Sequence, residues 1–432
     1  MKIELRYGRG SRPLILPDTA DLTMVRKPPM PILSDPQTAV IHALRQPVAA
    51  SPLDEIAAGA QTACIAVCDI TRPVPNSLFL RPLIERLLAA GVPALGVTVL
   101  VATGLHRPNE GAELEELVGD PWVLDTVRVE NHFARDDAAH VDLGRTRTRG
   151  TVVRIDRRFV EADIRITTGL VEPHFMAGYS GGRKVIAPGL AHAETITTFH
   201  SSRFMADPAA VNCNFDGNPL HEEQLEIVKL LGGAHALNTV IDEDRNLSFV
   251  NFGEIVQSHH QAVDFVREYC EVDIPRQFPT VVTTAAGYPL DRTYYQTVKG
   301  MVGAMDILAP GGDLFIASAC SEGMGSSEFR ESQRHLVESG PDEFLKSILK
   351  KSHAQVDEWQ TQMQLKPMAI GRITLCTDGL NPAEQALTGV RVVSALDEAV
   401  SVSLKRGNGT VAVIPEGPYV VPFYRPEVAA LQ

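Results

Sequence analysis

The stretch "TACIAVCDITRPVPNSLFLRPLIERLLAAGVPALGVTVLVATG", residues 62–104, decides the fold. Residues 62–70 form a β-rich apolar run, broken by the turn Thr-Arg-Pro-Val-Pro-Asn at 71–76. The next segment, 77–91, carries apolar residues at helical spacing and stops on Gly91. Residues 94–104 read as a second buried strand, 105–111 as a loop and 112–119 as a short helix. This strand–helix alternation predicts a parallel sheet with helices on its faces. "ADIRITTGLVEPHF", residues 162–175, repeats the scheme, with a strand to about Leu170 and then a polar loop. Three loops of unusual chemistry thus follow three strands, and open α/β sheets gather ligands at strand carboxyl ends.

Farther along, the proline-bearing "EVDIPRQFP" (271–279) follows a helical segment and marks a domain boundary. Beyond it come a strand at 280–289, a helix at 292–312 closed by Pro-Gly-Gly, and a strand at 313–320. Segments 372–379, 394–407 and 410–417 continue the alternation. The expectation is two α/β domains with mainly parallel sheets and a cleft between them. Residues 1–272 are the cofactor-binding and catalytic domain, and 273–432 a smaller second domain. The tail, 419–432, is expected to pack back on the first.

Bulk composition narrows the class. A length of 432 residues suits two ordinary domains. With 44% apolar and 22% charged residues, the chain has the usage of a globular protein with a buried core. A formal charge of -13 argues against nucleic acid or an anionic membrane as partner, since both reward a basic surface. An anionic substrate would need a local basic pocket. The cysteines at 64, 68, 213, 270, 320 and 376 form neither a zinc-type array nor a disulfide framework. The N-terminus reads as strand and turn rather than signal peptide, and no apolar run nears the ~20 residues of a membrane helix. A cytoplasmic location is expected.

Three histidines follow or lie close to the strand-end loops: His106 in "ATGLHRP", His174 in "EPHFMAG" and His200 in "ITTFHSSRF". His132, His140, His192, His221 and His235 lack that placement and read as packed or surface residues. At the end of the first strand, Asp69 and Arg72 read either as a turn brace or as an anion site, where the planar guanidinium suits a carboxylate. Gln296 and Lys299 stand at i and i+3 on one helix face, either solvated or acting on one ligand. "EPHFMAGYSGGRKVIAPG" (172–189) places Lys184 after Gly181, Gly182 and Arg183. It is no P-loop, because no Ser or Thr follows the lysine. Lys184 is a phosphate-binding charge, an idle surface group or a covalent attachment point, and the glycines let the backbone approach something closely.

At these residues the chain resembles the lactate racemase family, enzymes that use a nickel-pincer nucleotide. The resemblance rests on "DITRPVP", "TGLHRP", "EPHFMAGYSGGRK", "FH" at 199–200 and "YYQTVKG", in order from about residue 7 to 420. It implies that Lys184 carries pyridinium-3-thioamide-5-thiocarboxylic acid mononucleotide through a thioamide. It implies further that His200 is the one protein ligand to nickel, a metal at home in square-planar sites. By the same resemblance His106 and His174 are the acid/base pair, Arg72, Gln296 and Lys299 position the substrate, and Asp69, Gly181 and Gly182 belong to the cofactor constellation. The implied activity is racemisation or epimerisation at C2 of a small-molecule 2-hydroxy acid, with cofactor-maturation enzymes as partners. Lactate is one candidate substrate. Arg292, one helical turn before Gln296, either meets a second carboxylate, as in malate, or is an exposed helix-start residue. Two other classes stand beside this one: a metal-dependent hydrolase built on the three histidines, and a non-catalytic nucleotide-cofactor binding protein.

Overall fold

A computed structural model describes residues 1–426. The chain forms two compact units. One comprises Pro29–His200 and Asp207–Glu268; the other comprises Met1–Pro28, Ser201–Ala206 and the chain from Tyr269 onward.

The first unit is built on six strands in the order Leu247–Glu254, His235–Ile241, Ile164–Leu170, Ala63–Cys68, Val97–Ala102, Arg128–Asn131. Neighbours are parallel except the first pair, an antiparallel hairpin. From Ala63–Cys68 the chain winds outward to Arg128–Asn131, then returns to Ile164–Leu170 on the other side and winds the opposite way. The order therefore reverses between Ala63–Cys68 and Ile164–Leu170, and such reversal points are where doubly wound sheets bind ligands. The two strands at the heart of residues 62–104 are buried along nearly their whole length, as expected of parallel strands covered on both faces. Helix Asn76–Ala89 covers them with Phe79, Leu80, Leu83, Ile84 and Leu87, all withdrawn from water. Each such side chain contributes about 1.5–3 kcal/mol.

The second unit holds six parallel strands in the order Arg391–Val393, Arg372–Cys376, Leu308–Ala317, Phe278–Thr284, Thr410–Val413, Asp21–Met24. Three expectations are corrected here. First, the N-terminal segment belongs to this unit. Asp21–Met24 is its edge strand, and Ile3, Leu5, Leu14 and Leu16 enter the same core as Val282, Phe315 and Val413. A pairing across almost the whole sequence leaves no local pattern. Second, the last described strand, Val421–Tyr424, pairs with Glu271–Ile274 in this unit instead of returning to the first; residues 427–432 of the tail lie outside the described residues. Third, Pro-Gly-Gly does not close the helix, which spans Tyr294–Gly303. Those residues fall inside strand Leu308–Ala317, where the register with Phe278–Thr284 shifts at a bulge. Among the described residues no helix is long and apolar enough to cross a membrane.

Candidate active site

Three adjacent parallel strands of the first unit deliver the chemistry: Asp69 and Arg72 follow Ala63–Cys68, His106 follows Val97–Ala102, and His174 follows Ile164–Leu170. The Asp69 carboxylate accepts the backbone N–H of Thr71 at 3.1 Å and its hydroxyl at 2.5 Å, which fixes the turn. Its other oxygen, Oδ2, lies 2.5 Å from His106 Nδ1. The same carboxylate thus braces its turn and faces His106. Burial pushes the carboxyl up, but His106, the Thr71 hydroxyl and Arg72 outweigh that and keep it below the usual range. An ionised Asp69 fixes the Nδ1–H tautomer of His106 and leaves the lone pair on Nε2, on a side chain 43% exposed.

His174 is held differently. Pro173–His174 pairs with Gly178–Tyr179 in a tight hairpin. Within it the His174 Nδ1 accepts backbone N–H groups of Met176 at 3.4 Å and Ala177 at 3.2 Å. In the neutral ring the proton then sits on Nε2, so the two imidazoles rest in opposite tautomers.

Behind the His106 loop lies a buried histidine pair. The Thr103 hydroxyl donates to the backbone O of His132 at 2.7 Å, and His106 N–H donates to Thr103 O at 2.9 Å. His140 Nδ1 donates to Asp136 O at 2.6 Å, so its Nε2 accepts from His132 Nε2 at 3.0 Å. Burial and the facing His140 push His132 down to about 3, so it is neutral at ordinary pH. His192 and His221 are buried as well, and His235 is half-buried. All five of these histidines are packed.

Lys184 lies on the short helical turn Arg183–Ile186, next to strand Ile164–Leu170. Burial, helped by Arg72 and opposed in part by Cys68 and Glu172, lowers it to about 7, with Arg183 adding to the fall. His200 ends helix Ala193–Phe199 and donates from Nδ1 to Ile196 O at 2.9 Å, which puts its lone pair on Nε2. Burial pushes it down to about 3, Ile196 O resisting and Lys184 assisting. Two residues absent from the expected set join the site. Glu172 pairs with Arg72, and its second carboxylate oxygen is buried with no hydrogen-bond partner among the described residues. Arg183, 1% exposed, donates to the carbonyls of Ala177 at 3.0 Å and Tyr179 at 3.5 Å and stacks on Phe215 at 4.6 Å. Glu172 could have been found from its place in the His174 loop; the burial of Arg183 had no local signal.

The close approach permitted by Gly181 and Gly182 proves to be to the protein itself. A Cβ on Gly181 would fall 2.8 Å from Val171, and one on Gly182, at φ +48°, 2.8 Å from the His259 ring. His259 in turn lies 2.7 Å from Ser180 O and braces the loop. These glycines shape the turn that presents Lys184.

Gln296 and Lys299 lie in the second unit on helix Tyr294–Gly303, Gln296 buried and Lys299 half-buried. Arg292 precedes that helix and is bound by Glu322, with its guanidinium 5.8 Å from the Tyr288 ring. Among the described residues no group of three or more His, Cys, Asp or Glu is placed to hold a metal ion. His106, His174 and His200 therefore do not form the ligand set a zinc hydrolase needs.

Residues 7–212 match the description of a lactate racemase N-terminal domain, and residues 275–421 that of a lactate racemase C-terminal domain. A curated lactate racemase of Lactiplantibacillus plantarum is 30% identical over 88% of this chain and 89% of its own length. The chain belongs to the lactate racemase family. A second lactate racemase, from Thermoanaerobacterium thermosaccharolyticum, is 29% identical over 97% of this chain and 98% of its own. The solved lactate racemase apoprotein from that organism superposes with a TM-score of 0.89 at 28% identity, covering 98% of this chain and all of that one. A Thermotoga maritima structure at 16% identity and TM-score 0.70 shares the fold. Membership of the lactate racemase family supports an isomerase-type activity.

Proposed function

We propose that the chain is a 2-hydroxyacid racemase or epimerase that inverts C2. The observation that carries this reading is the Asp69–His106 pair and His174 at neighbouring strand ends, on either side of the point where the strand order reverses. Inversion needs one base for each face of the carbon, and these two imidazoles supply them. General acid/base help of this kind contributes ~10²–10⁴-fold.

The residues fit the family's nickel-pincer nucleotide. Lys184 makes no side-chain hydrogen bond or ion pair among the described residues. The His200 tautomer is the one a metal ligand requires, and the unpartnered oxygen of Glu172 marks a polar place waiting to be filled. Lys184 would hold the nucleotide and His200 its nickel. When bound, the group would supply a hydride acceptor for C2 of the substrate. His106 takes the substrate hydroxyl proton through Nε2 while Asp69 stabilises the imidazolium that forms. Arg72, oriented by Glu172, meets the substrate carboxylate and keeps the flat keto acid in place until its other face is served. Gln296 and Lys299 are assigned to substrate positioning as the family resemblance implies.

A monocarboxylate such as lactate is favoured over a dicarboxylate, because Glu322 already occupies the guanidinium of Arg292. The decisive test is the intact mass of protein co-produced with the cofactor-making enzymes, followed by a panel of single-enantiomer 2-hydroxy acids monitored for optical inversion. A mass increment mapping to Lys184, absent in Lys184→Ala, with turnover of lactate, is expected. An active preparation with unmodified Lys184 would overturn the reading. With its guanidinium held by Glu322, Arg292→Ala should leave lactate turnover intact and slow no dicarboxylate selectively.

A further inference from the structure

Asn109 stands three residues past His106 and is buried, with all four of its polar groups engaged. Its backbone N–H donates to Asn131 Oδ1 at 2.9 Å, and its carbonyl accepts from Asn131 Nδ2 at 2.9 Å. Its side-chain Oδ1 accepts the backbone N–H of Ile70 at 3.3 Å, while Nδ2 donates to Glu113 Oε2 at 2.7 Å. Glu113 also takes both ends of the Arg107 guanidinium, at 2.6 and 2.8 Å. A donor on one side and a carboxylate on the other allow the Asn109 amide a single orientation.

One residue thus stitches together the ends of three neighbouring strands, Ala63–Cys68, Val97–Ala102 and Arg128–Asn131. Ile70 adjoins Asp69. The His106 loop is pinned at Thr103 before the histidine and at Asn109 after it. Asp69 and His106 sit on separate loops, so the 2.5 Å between Oδ2 and Nδ1 depends on what joins those loops.

We propose that Asn109 is a positioning residue for the acid/base pair: by joining the Asp69 and His106 loops, it sets the contact that keeps the imidazole proton on Nδ1. This rests on His106 as a base of the proposed reaction and adds what holds its ring in register with Asp69. The hydrogen bonds of Asn109 go to Ile70, Glu113 and Asn131, so it acts through the backbone of the two loops. A displacement of about 1 Å in a catalytic constellation can cost ~10²-fold in rate.

Asn109→Leu keeps the volume and removes both side-chain hydrogen bonds. Asn109→Asp keeps an acceptor for Ile70 but puts a carboxylate oxygen where the amide nitrogen lies 2.7 Å from Glu113. Adding Glu113→Gln to Asn109→Asp reverses that bond, glutamine donating to aspartate, and restores the link. Asn238→Ala controls for lost stability: it removes the hydrogen bonds of another buried asparagine, on strand His235–Ile241, to Asn251 and Ser258.

In the unmodified protein, the ring nitrogen shifts of the neutral His106 show which nitrogen holds the proton. Wild type and Asn238→Ala should show Nδ1–H. In Asn109→Leu and Asn109→Asp the Nε2–H form should appear, and in the double variant it should be lost again. With cofactor-loaded enzyme at matched loading, kcat for inversion of lactate should fall by about 10–10²-fold in Asn109→Leu with KM little changed. The double variant should recover most of it. A folded Asn109→Leu whose proton stays on Nδ1, one whose kcat is within about threefold of an active wild type, or an Asn238→Ala protein with an equally shifted His106 ring would overturn the proposal. Where Asn109→Leu does not fold, Asn109→Asp and the double variant decide by the same criteria. Failure of the racemase reading is seen separately: the ring shifts follow the variants while loaded wild type inverts no 2-hydroxy acid.

Discussion

Asparagine at position 69 isolates the role of the carboxylate that faces His106. It keeps an oxygen for the Thr71 N–H and hydroxyl but sets an amide N–H against His106 Nδ1, where the carboxylate oxygen lies at 2.5 Å. Two donors then oppose each other. The ring escapes by moving its proton to Nε2, which removes the lone pair needed for the substrate hydroxyl. The loss of a charge-assisted hydrogen bond is worth about 1.5–3 kcal/mol, or roughly 10–10²-fold. Loss of base function itself sets the far limit, ~10²–10⁴-fold. A fall in kcat of about 10²–10³ with little change in KM is therefore expected. The assay is optical inversion of single-enantiomer lactate by cofactor-loaded enzyme, at matched loading by mass. A second readout needs no cofactor: the ring nitrogen shifts of His106 should report the proton moved from Nδ1 to Nε2. A kcat within about threefold of wild type, together with a His106 proton still on Nδ1, would refute the argument.

Other outcomes follow from the same geometry. Lys184→Met should stabilise the unmodified protein. The folded chain gives up the lysine proton near pH 7, the unfolded chain only near ~10.4, so the lysine costs stability in full below pH 7 and progressively less up to about 10. A gain of roughly 1–3 kcal/mol at pH 6, shrinking by pH 9, is the expected urea-denaturation result. Asp69 acts with the opposite sign. Its carboxyl is depressed in the folded state, so its contribution is present above the ordinary aspartate value of ~3.9 and is lost as pH falls through the folded value. An acid-unfolding midpoint shifted in Asp69→Asn checks this. Gly182→Ala should cost about 2–4 kcal/mol in the same denaturation assay, from a strained positive φ and displacement of His259 from Ser180 O.

Much of the site was legible because local pattern and chemistry coincide there. Apolar runs ending in Asp69, His106 and His174 announce strand ends, and adjacent parallel strands must bring those ends to one edge. The partners of these residues were less visible. Arg72 meets Glu172 across 100 residues, and Arg183 meets His259 across 76; neither spacing leaves a periodic trace. The same limit hid the home of the N-terminal segment, whose Asp21–Met24 strand pairs with Thr410–Val413. Gly181 and Gly182 show a different limit. Sequence reveals that something must come close, but only the fold reveals that it is Val171 and an imidazole.

The hydrogen bond between His132 and His140 gives the protein a reporter of its own. A proton lodged between two buried imidazole nitrogens, tied through Thr103 to the backbone of the His106 loop, is withdrawn from water. Its resonance lies apart from the amides, and its exchange with deuterium times each opening. The His106 loop can thus be watched in the unmodified chain, before any substrate is added.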